Sequence, residues 1–434
     1  MTRCIEPQLA FHFQAQPRIR AAFDGGLLPL RQFDERHGLT RRLAAYLEDR
    51  RQAGKVEHSI ATLLRQRVYQ IVGGYEDAND AERLRTDPIF RLVAGRGPER
   101  ALGSQPTLSR WENRARRREL LAMRGELVEW FIRTCAAGVR RRGEILLDID
   151  STDDPTHGQQ QFSFFHGCYG QPMYHPLGVT ERHTGFALAL WLRPGRAASG
   201  AGAVRLLLRL LRRLGRAFPG VRVRLRADAG FALPELYEFC EAMGVGYAIG
   251  IGGNPVLRRQ AAPLQEAARL AYEAGGHPQR LYGDFRYQAR SWAGPRRLCC
   301  KAEHGAAGAN LRFLVSNEGL PPEAAFGFYN DRGECENRIE ELKNGFAADR
   351  LSCHRFAANQ FRLLLHAAAY NLVNLFRLRL PPRLRPLQIE ALRNRVFKLA
   401  ARVRRTARCV RVSFAEGWPF QADFARLCQR FSSA

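Results

Sequence analysis

At Gly143 the hydrophobic rhythm of the chain changes, and that change limits what it can fold into. In EILLDIDST, Ile145, Leu147 and Ile149 fall on one side, and Leu146, Asp148 and Asp150 on the other. A period of two belongs to an extended strand, whose successive side chains leave opposite faces of the pleat. The segments before Gly143 repeat differently. RQFDERHGLTRRLAAYLEDRR and EHSIATLLRQRVYQIVGGYED place apolar residues at three- and four-residue steps with basic residues opposite, the pattern of amphipathic helices. SQPTLSRWENRARRRELLAMRGELVEWFIRTC reads as a capped helix start, with Ser109 as the N-cap and Glu112 three residues on. Residues 35–75 are compatible with a helix-turn-helix.

Beyond Asp150 the elements alternate. FSFFHGCYGQPMYHPLGVTER and GFALALWLRPG are strand candidates, GAVRLLLRLLRRLGRAF is an arginine-faced helix, and VRVRLRADAGF is a strand running into a turn. ALPELYEFCEAMG is a helix with Pro234 in its first turn, and VGYAIGIGG is a short buried strand. Three strands, then helix, strand, helix, strand predicts an α/β fold. LYGDFRYQARSW, RRLCCKAEH and NLRFLVSN add antiparallel strands. A helix over ENRIEELK follows, and then the long apolar-striped helix HRFAANQFRLLLHAAAYNLVNLF. PPRLRP breaks the pattern near 381, and the basic remainder is expected to be helical. At 434 residues the chain exceeds one ordinary core, so several units are expected. They are a helical basic region (1–140), a first core part (141–254), a β-rich insertion (255–325), a second core part (326–380) and a basic C-terminal segment (381–434).

Charge narrows the partner. Lys and Arg number 68 against 42 Asp and Glu, a formal net charge of +26. A polyanion is the simplest counterpart, and nucleic acid is the commonest. Other classes are excluded. MTRCIEPQLAFHFQ lacks the basic head and apolar run of a secretory signal, and Leu363–Phe376, the longest apolar stretch, is too short to span a bilayer. Ten scattered cysteines without a Cys-x2-Cys pair argue against zinc and disulfides, so a cytoplasmic location is expected. The glycines of GVGYAIGIGG follow a helix and form a strand, the reverse of a dinucleotide loop, and no GxxxxGK[ST] occurs. Trp292 could stack on a base but reads as a core residue.

The candidate chemistry is acidic. Asp150 and Asp228 each end a strand, and Glu336 lies on the later helix. Carboxylates about 4 Å apart repel by about 4 kcal/mol per pair at an effective dielectric near 20. They stay ionised together only around a cation, and oxygen ligands without Cys or His select Mg²⁺ or Mn²⁺. Two such ions can activate a hydroxyl and stabilise the leaving oxygen of a phosphodiester. Tyr329, Arg332, Glu336 and Lys343 stand in a Tyr-x2-Arg-x3-Glu-x6-Lys spacing. On a helix Glu336, Glu340 and Lys343 share one face, with Arg332 and Tyr329 upstream as further phosphate donors. Asp148 shares the strand face of Asp150 and is the runner-up ligand. Asp153 and Asp154 are expected to cap the turn. His157 and His166 are expected to pack beside it.

LLDIDSTDDPTHGQQ, LRADAGF and YNDRGECENRIEELK, in this order, resemble the DDE transposases of bacterial insertion sequences, in the group bearing the Tyr-Arg-Glu-Lys signature. GYEDANDAERLRTDPIF, LGSQPTLSRWEN, GVGYAIGIGGNPVL and DRLSCHRFAANQFRLLLHAAAYNL are similar to the insertion-sequence family numbered thirteen-eighty. The resemblance covers about residues 10–380. It implies an RNase H-like catalytic core, interrupted by a β-rich insertion and preceded by a mostly helical, DNA-binding N-terminal region. It also implies that Asp150, Asp228 and Glu336 hold catalytic Mg²⁺ or Mn²⁺, and that Tyr329, Arg332 and Lys343 hold the DNA backbone. The implied reaction is cleavage at the transposon ends, then attack of the freed 3′-hydroxyl on target DNA. The implied assembly is a homodimer in a synaptic complex at the bacterial nucleoid. A catalytically inactive DNA-binding relic and an RNase H-like nuclease without strand transfer are the rival readings.

Overall fold

The computed structural model describes residues 19–406, 408–415 and 419–432, so the MTRCIEPQLAFHFQ segment lies outside the described residues. The first elements are strand β1 (Ile19–Ala22) and helices α1 (Leu27–His37), α2 (Leu39–Ala45), α3 (Ile60–Gly73), α4 (Asp80–Leu84), α5 (Pro88–Val93), α6 (Gln105–Glu112) and α7 (Arg117–Arg142). Ser109 lies inside α6, and the N-cap position is Ser104. The expected capping of Ser109 by sequence spacing fails because a second helix begins later, at α7. There the Arg116 N–H donates to the Glu119 carboxylate at 2.8 Å. Residues 46–59 separate α2 from α3, too many for the three- or four-residue turn of a helix-turn-helix.

Gly143 closes α7 in the left-handed conformation and the chain turns into β2 (Glu144–Ser151). After it come β3 (Asp154–Pro155), β4 (Phe164–His166), β5 (Gln171–Tyr174), β6 (Leu177–Glu181), β7 (Ala187–Trp191), α8 (Ala203–Ala217), β8 (Arg222–Ala227), α9 (Pro234–Ala242) and β9 (Gly246–Ile251). Then follow α10 (Pro255–Gly275), β10 (Gln279–Tyr287), β11 (Arg296–Gly305), β12 (Gly308–Ser316), α11 (Pro322–Asn330), α12 (Gly333–Glu340) and α13 (Phe356–Arg377). The chain finishes with α14 (Ile389–Leu392), β13 (Ala401–Arg405), β14 (Val410–Phe414) and α15 (Gln421–Ser432). The basic C-terminal segment is therefore not simply helical. Its two strands form a hairpin that pairs through β13 with β1, a partner nearly 380 residues away that local periodicity cannot reveal.

The central sheet has eight strands in the order β10-β11-β12-β9-β8-β2-β6-β7. β2, β8 and β9 run parallel, while β6 and β7 lie antiparallel on one flank. The strands between 255 and 325 extend this same sheet, because β12 pairs with β9 over Ser316↔Ala248 to Phe313↔Ile251. Residues 154–174 form a separate three-stranded sheet, β3-β5-β4.

Register assigns the faces. Asp150, Gly178 and Leu190 stand side by side across β2, β6 and β7, and Ile149, Val179 and Ala189 stand on the opposite face. The Asp150 face meets α11–α13; Arg226, paired in register with Asp148, donates to the Phe328 carbonyl of α11. The opposite face meets α7 and α8.

Helix α13 is buried along nearly its whole length, and its few polar side chains have structural work. β7 is an edge strand with backbone groups left over. Asn371 accepts from the Ala187 N–H and donates to the Ala187 carbonyl, and Gln360 does the same for Leu192 and Leu190. Glu112, fully buried, accepts from Arg67 of α3 at 2.8 Å and from Arg362 of α13 at 2.6 Å. That triad ties the N-terminal helices to the helix covering the sheet. Trp292 is buried against Tyr237 and Tyr287, though in the β10–β11 connection and not on a strand. Among the described residues no helix is long and apolar enough to cross a membrane.

Candidate active site

The parallel strands β2 and β8 run in the same direction, so their C-terminal ends meet at one edge of the sheet. Asp150 sits at the end of β2 and Asp228 immediately after β8. Asp228 turns the chain: its carboxylate accepts from the Gly230 N–H at 3.0 Å and caps a single 3₁₀ turn, Ala229–Phe231. The two strand-end aspartates thus share an edge although 78 residues separate them in sequence.

The third carboxylate arrives from α12. Arg332, just before that helix, points into the edge and is almost buried. Its guanidinium donates one N–H to Asp150 Oδ2 at 2.8 Å and another to Glu336 Oε1 at 2.9 Å. Glu336 itself is exposed, 66% by side chain, whereas Asp150 is 12% exposed. The sequence spacing presents Arg332 as a phosphate donor; its i, i+4 relation to Glu336 was the available signal for half of this bridge, and nothing near it announces the Asp150 half.

The edge carries more negative charge than Arg332 cancels. Burial pushes the Asp150 carboxyl up to about 6. Arg332 pulls it down, and the charges of Asp228 and Glu336 push it up again. Tyr329, at the end of α11, feels the same group: burial raises its hydroxyl, Arg332 lowers it, and Asp228 and Glu336 raise it. Its hydroxyl packs on Gly250 of β9, where a Cβ would lie only 2.6 Å away. One glycine of the GVGYAIGIGG run is thereby explained by close approach of a tyrosine.

Asp148, on the same strand face as Asp150, is used differently. It is wholly buried and forms a two-pronged pair with Arg226, at 2.7 and 2.9 Å. Neither Asp153 nor Asp154 caps the turn as expected. Lys343 donates to Asp153 at 2.7 Å; burial raises the Asp153 carboxyl, but Lys343, the Asp153 N–H and the Thr152 hydroxyl together bring it below its ordinary value. Asp154 is drawn inside on β3, where burial and then Asp349 raise its carboxyl well above the ordinary range. His166 packs against Tyr169 and His175.

Helix α12 does not run regularly to Lys343. Residues Glu341–Gly345 widen into a π turn, which shifts Lys343 relative to a regular helical register. Asp150, Glu336, Glu340 and Lys343 nevertheless line one open cavity of about 370 Å³ beside Asn344. The donor set at this edge is all oxygen, which suits a hard divalent ion. Among the described residues no three acidic, His or Cys side chains already stand close enough to hold one. The Arg332 guanidinium lies between Asp150 and Glu336 instead.

A family model described as Transposase DDE domain group 1 matches residues 17–434. Among solved structures, a piggyBac transposase synaptic complex with hairpin DNA is similar over 86% of this chain and 80% of that chain, with 13% identity and a TM-score of 0.42. No curated protein matches the chain.

Proposed function

We propose, from the premise that this chain belongs to the Transposase DDE domain group 1 family, that it is a metal-dependent enzyme cutting DNA at transposon ends and joining the freed 3′-hydroxyl to target DNA. The observation that carries this reading is the Arg332 bridge, which gathers Asp150 and Glu336 at the edge where Asp228 also ends. Asp150, Asp228 and Glu336 are the residues to hold Mg²⁺ or Mn²⁺. Such an ion supplies a more acidic bound hydroxyl and compensation for charge on the leaving oxygen.

The protein groups have separable tasks. Asp150, whose carboxyl burial raises to about 6, is the group whose ionised form a cation would relieve most. Arg332 holds Asp150 and Glu336 in place and can turn its N–H groups to a phosphate when a cation replaces it. Lys343 and Tyr329 present an ammonium and a hydroxyl beside the same edge as further backbone donors. Asp148 is left out, because its two-pronged pair with Arg226 occupies both oxygens.

The strand order β7-β6-β2-β8-β9, antiparallel then parallel, supports an RNase H-like core. In this reading residues 141–254 and 326–380 make the catalytic core, 255–325 its β-rich insertion, and 1–140 the region that engages DNA. The Tyr329, Arg332, Glu336, Lys343 spacing supports membership of the Tyr-Arg-Glu-Lys insertion-sequence group. A homodimer in a synaptic complex, working in the bacterial cytoplasm at the nucleoid, fits the need to cut two ends.

The test is incubation of the purified chain with Mg²⁺ and linear DNA bearing the inverted repeats that flank its gene. Cut and joined products support the proposal. Cuts without joining favour a nuclease, and binding without cuts favours an inactive relic.

A further inference from the structure

Helix α8 is an arginine ladder. Arg205, Arg209, Arg212, Arg213 and Arg216 lie on its outer side, all exposed, and the helix contains no acidic residue. Its leucines, Leu206, Leu207, Leu210, Leu211 and Leu214, are buried in the core. Only Arg213 has a carboxylate partner among the described residues, Glu129 of α7 at 3.1 Å. At a rise of 1.5 Å per residue, Arg205 to Arg216 spans about 16 Å. A DNA strand places a phosphate about every 3.4 Å along the duplex axis, so the ladder can meet several phosphates of one backbone.

The ladder borders a built cleft. Between α7, β7 and α8 lies a cavity of about 320 Å³ rimmed by Arg124, Arg209 and Arg213, with Leu121, Leu188 and Leu206 in its wall and no acidic residue. Arg124 is held over the Trp191 ring at 5.0 Å, and Arg205 lies over the same ring at 5.2 Å. Burial, and then the charge of Arg209, lower Arg124 to about 10. Arg213 is paired with Glu129, but Arg124 and Arg209 face the cleft with no carboxylate partner among the described residues, which leaves a place for an anion.

Position gives the surface its meaning. Trp191 stands in register with Leu177 and Ser151, one residue out of phase with Asp150, so it faces the opposite side of the sheet. We infer that the α8 ladder and the α7–α8 cleft bind the sugar-phosphate backbone of a DNA duplex, at a second surface on the reverse of the sheet from the carboxylate edge. One chain then grips one duplex for chemistry and braces another. The inference rests on the reading of this chain as a DNA-acting transposase. An anionic membrane is the other polyanion a basic amphipathic helix can meet, but the apolar side of α8 is already committed to the core and has nothing to insert.

The experiment measures affinity of the full chain for a random-sequence 30-base-pair duplex across a salt series, by fluorescence anisotropy. Each phosphate contact contributes a slope of about 0.9 in log K against log salt. The variant Arg209→Gln, Arg212→Gln, Arg216→Gln removes three exposed charges without touching the core. Its slope is expected to be shallower by about two to three. A control with Arg258→Gln, Arg259→Gln and Arg290→Gln, exposed arginines on other elements, should keep the wild-type slope. An unchanged slope in the α8 variant, or an equal loss in the control, overturns the inference while leaving the transposase reading standing. Phosphatidylserine vesicles that bind the wild type but not the α8 variant also overturn it. A wild-type chain that binds no duplex at all removes the reading on which the inference rests.

Discussion

Replacing Asp150 with Asn is expected to stabilise the folded chain above pH 6 while ending DNA cleavage. Burial, opposed by Arg332 and reinforced by Asp228 and Glu336, moves this carboxyl from an ordinary 3.8 to about 6. An acid raised in the folded state favours folding in its protonated form. That contribution is complete below 3.8 and is lost as pH rises through about 6. A gap of about two units at roughly 1.36 kcal/mol each is about 3 kcal/mol. Asp150 is nearly buried, so solvent screening removes little of it. Asn cannot ionise, yet its amide oxygen still accepts from Arg332. Urea unfolding followed by tryptophan fluorescence, with a chelator present, should therefore show equal stability of the two proteins near pH 4. At pH 8 the Asn variant should gain about 2–3 kcal/mol. A variant less stable than wild type at pH 8, or a difference that does not change with pH, would refute the account of this edge as an unneutralised acidic site.

Asp148→Asn should do the reverse: it leaves Arg226 buried without its carboxylate, and urea unfolding should show a loss of about 3–5 kcal/mol. Glu112→Gln strips charge from between two buried arginines, Arg67 and Arg362, and a comparable loss by the same assay is expected. Asn371→Ala leaves the β7 edge groups of Ala187 without partners; a cost of about 1–3 kcal/mol and faster hydrogen exchange at Ala187 are expected. Arg332→Ala separates Asp150 from Glu336, so cleavage should fall, and the Asp150 carboxyl, titrated by carbon-13 NMR, should move above its wild-type value of about 6.

Much of this molecule could be read from local pattern. The alternation of EILLDIDST, the apolar stripe of α13 and the strand-helix order after Gly143 arise from periods of two and 3.6, and each element stands where its period places it. What escaped depends on distant partners. Nothing near Asp148 announces Arg226, 78 residues on, so a buried ion pair and a candidate ligand look alike in sequence. β13 is a strand because β14 and the distant β1 flank it, not because ARVRR demands one. That the strands of 255–325 continue the central sheet was also hidden, because their partner, β9, lies across a 21-residue helix. Ser109 misled because a serine followed by a glutamate three residues on also occurs inside helices. At the candidate site, spacing put Glu336, Glu340 and Lys343 on one helix face with Arg332 just upstream, but the π turn at Glu341–Gly345 and the arginine bridge need the folded edge to exist.

The most direct measurement replaces Mg²⁺ with Fe²⁺, adds ascorbate and peroxide, and maps where hydroxyl radicals formed at the bound ion cut the polypeptide. Cuts beside Asp150, Asp228 and Glu336 together, abolished by excess Mg²⁺ and by Asp150→Asn, are the expected result. Cuts confined to one of the three segments, or scattered elsewhere in a chain that still cleaves DNA, would contradict the claim that these carboxylates act around a shared ion.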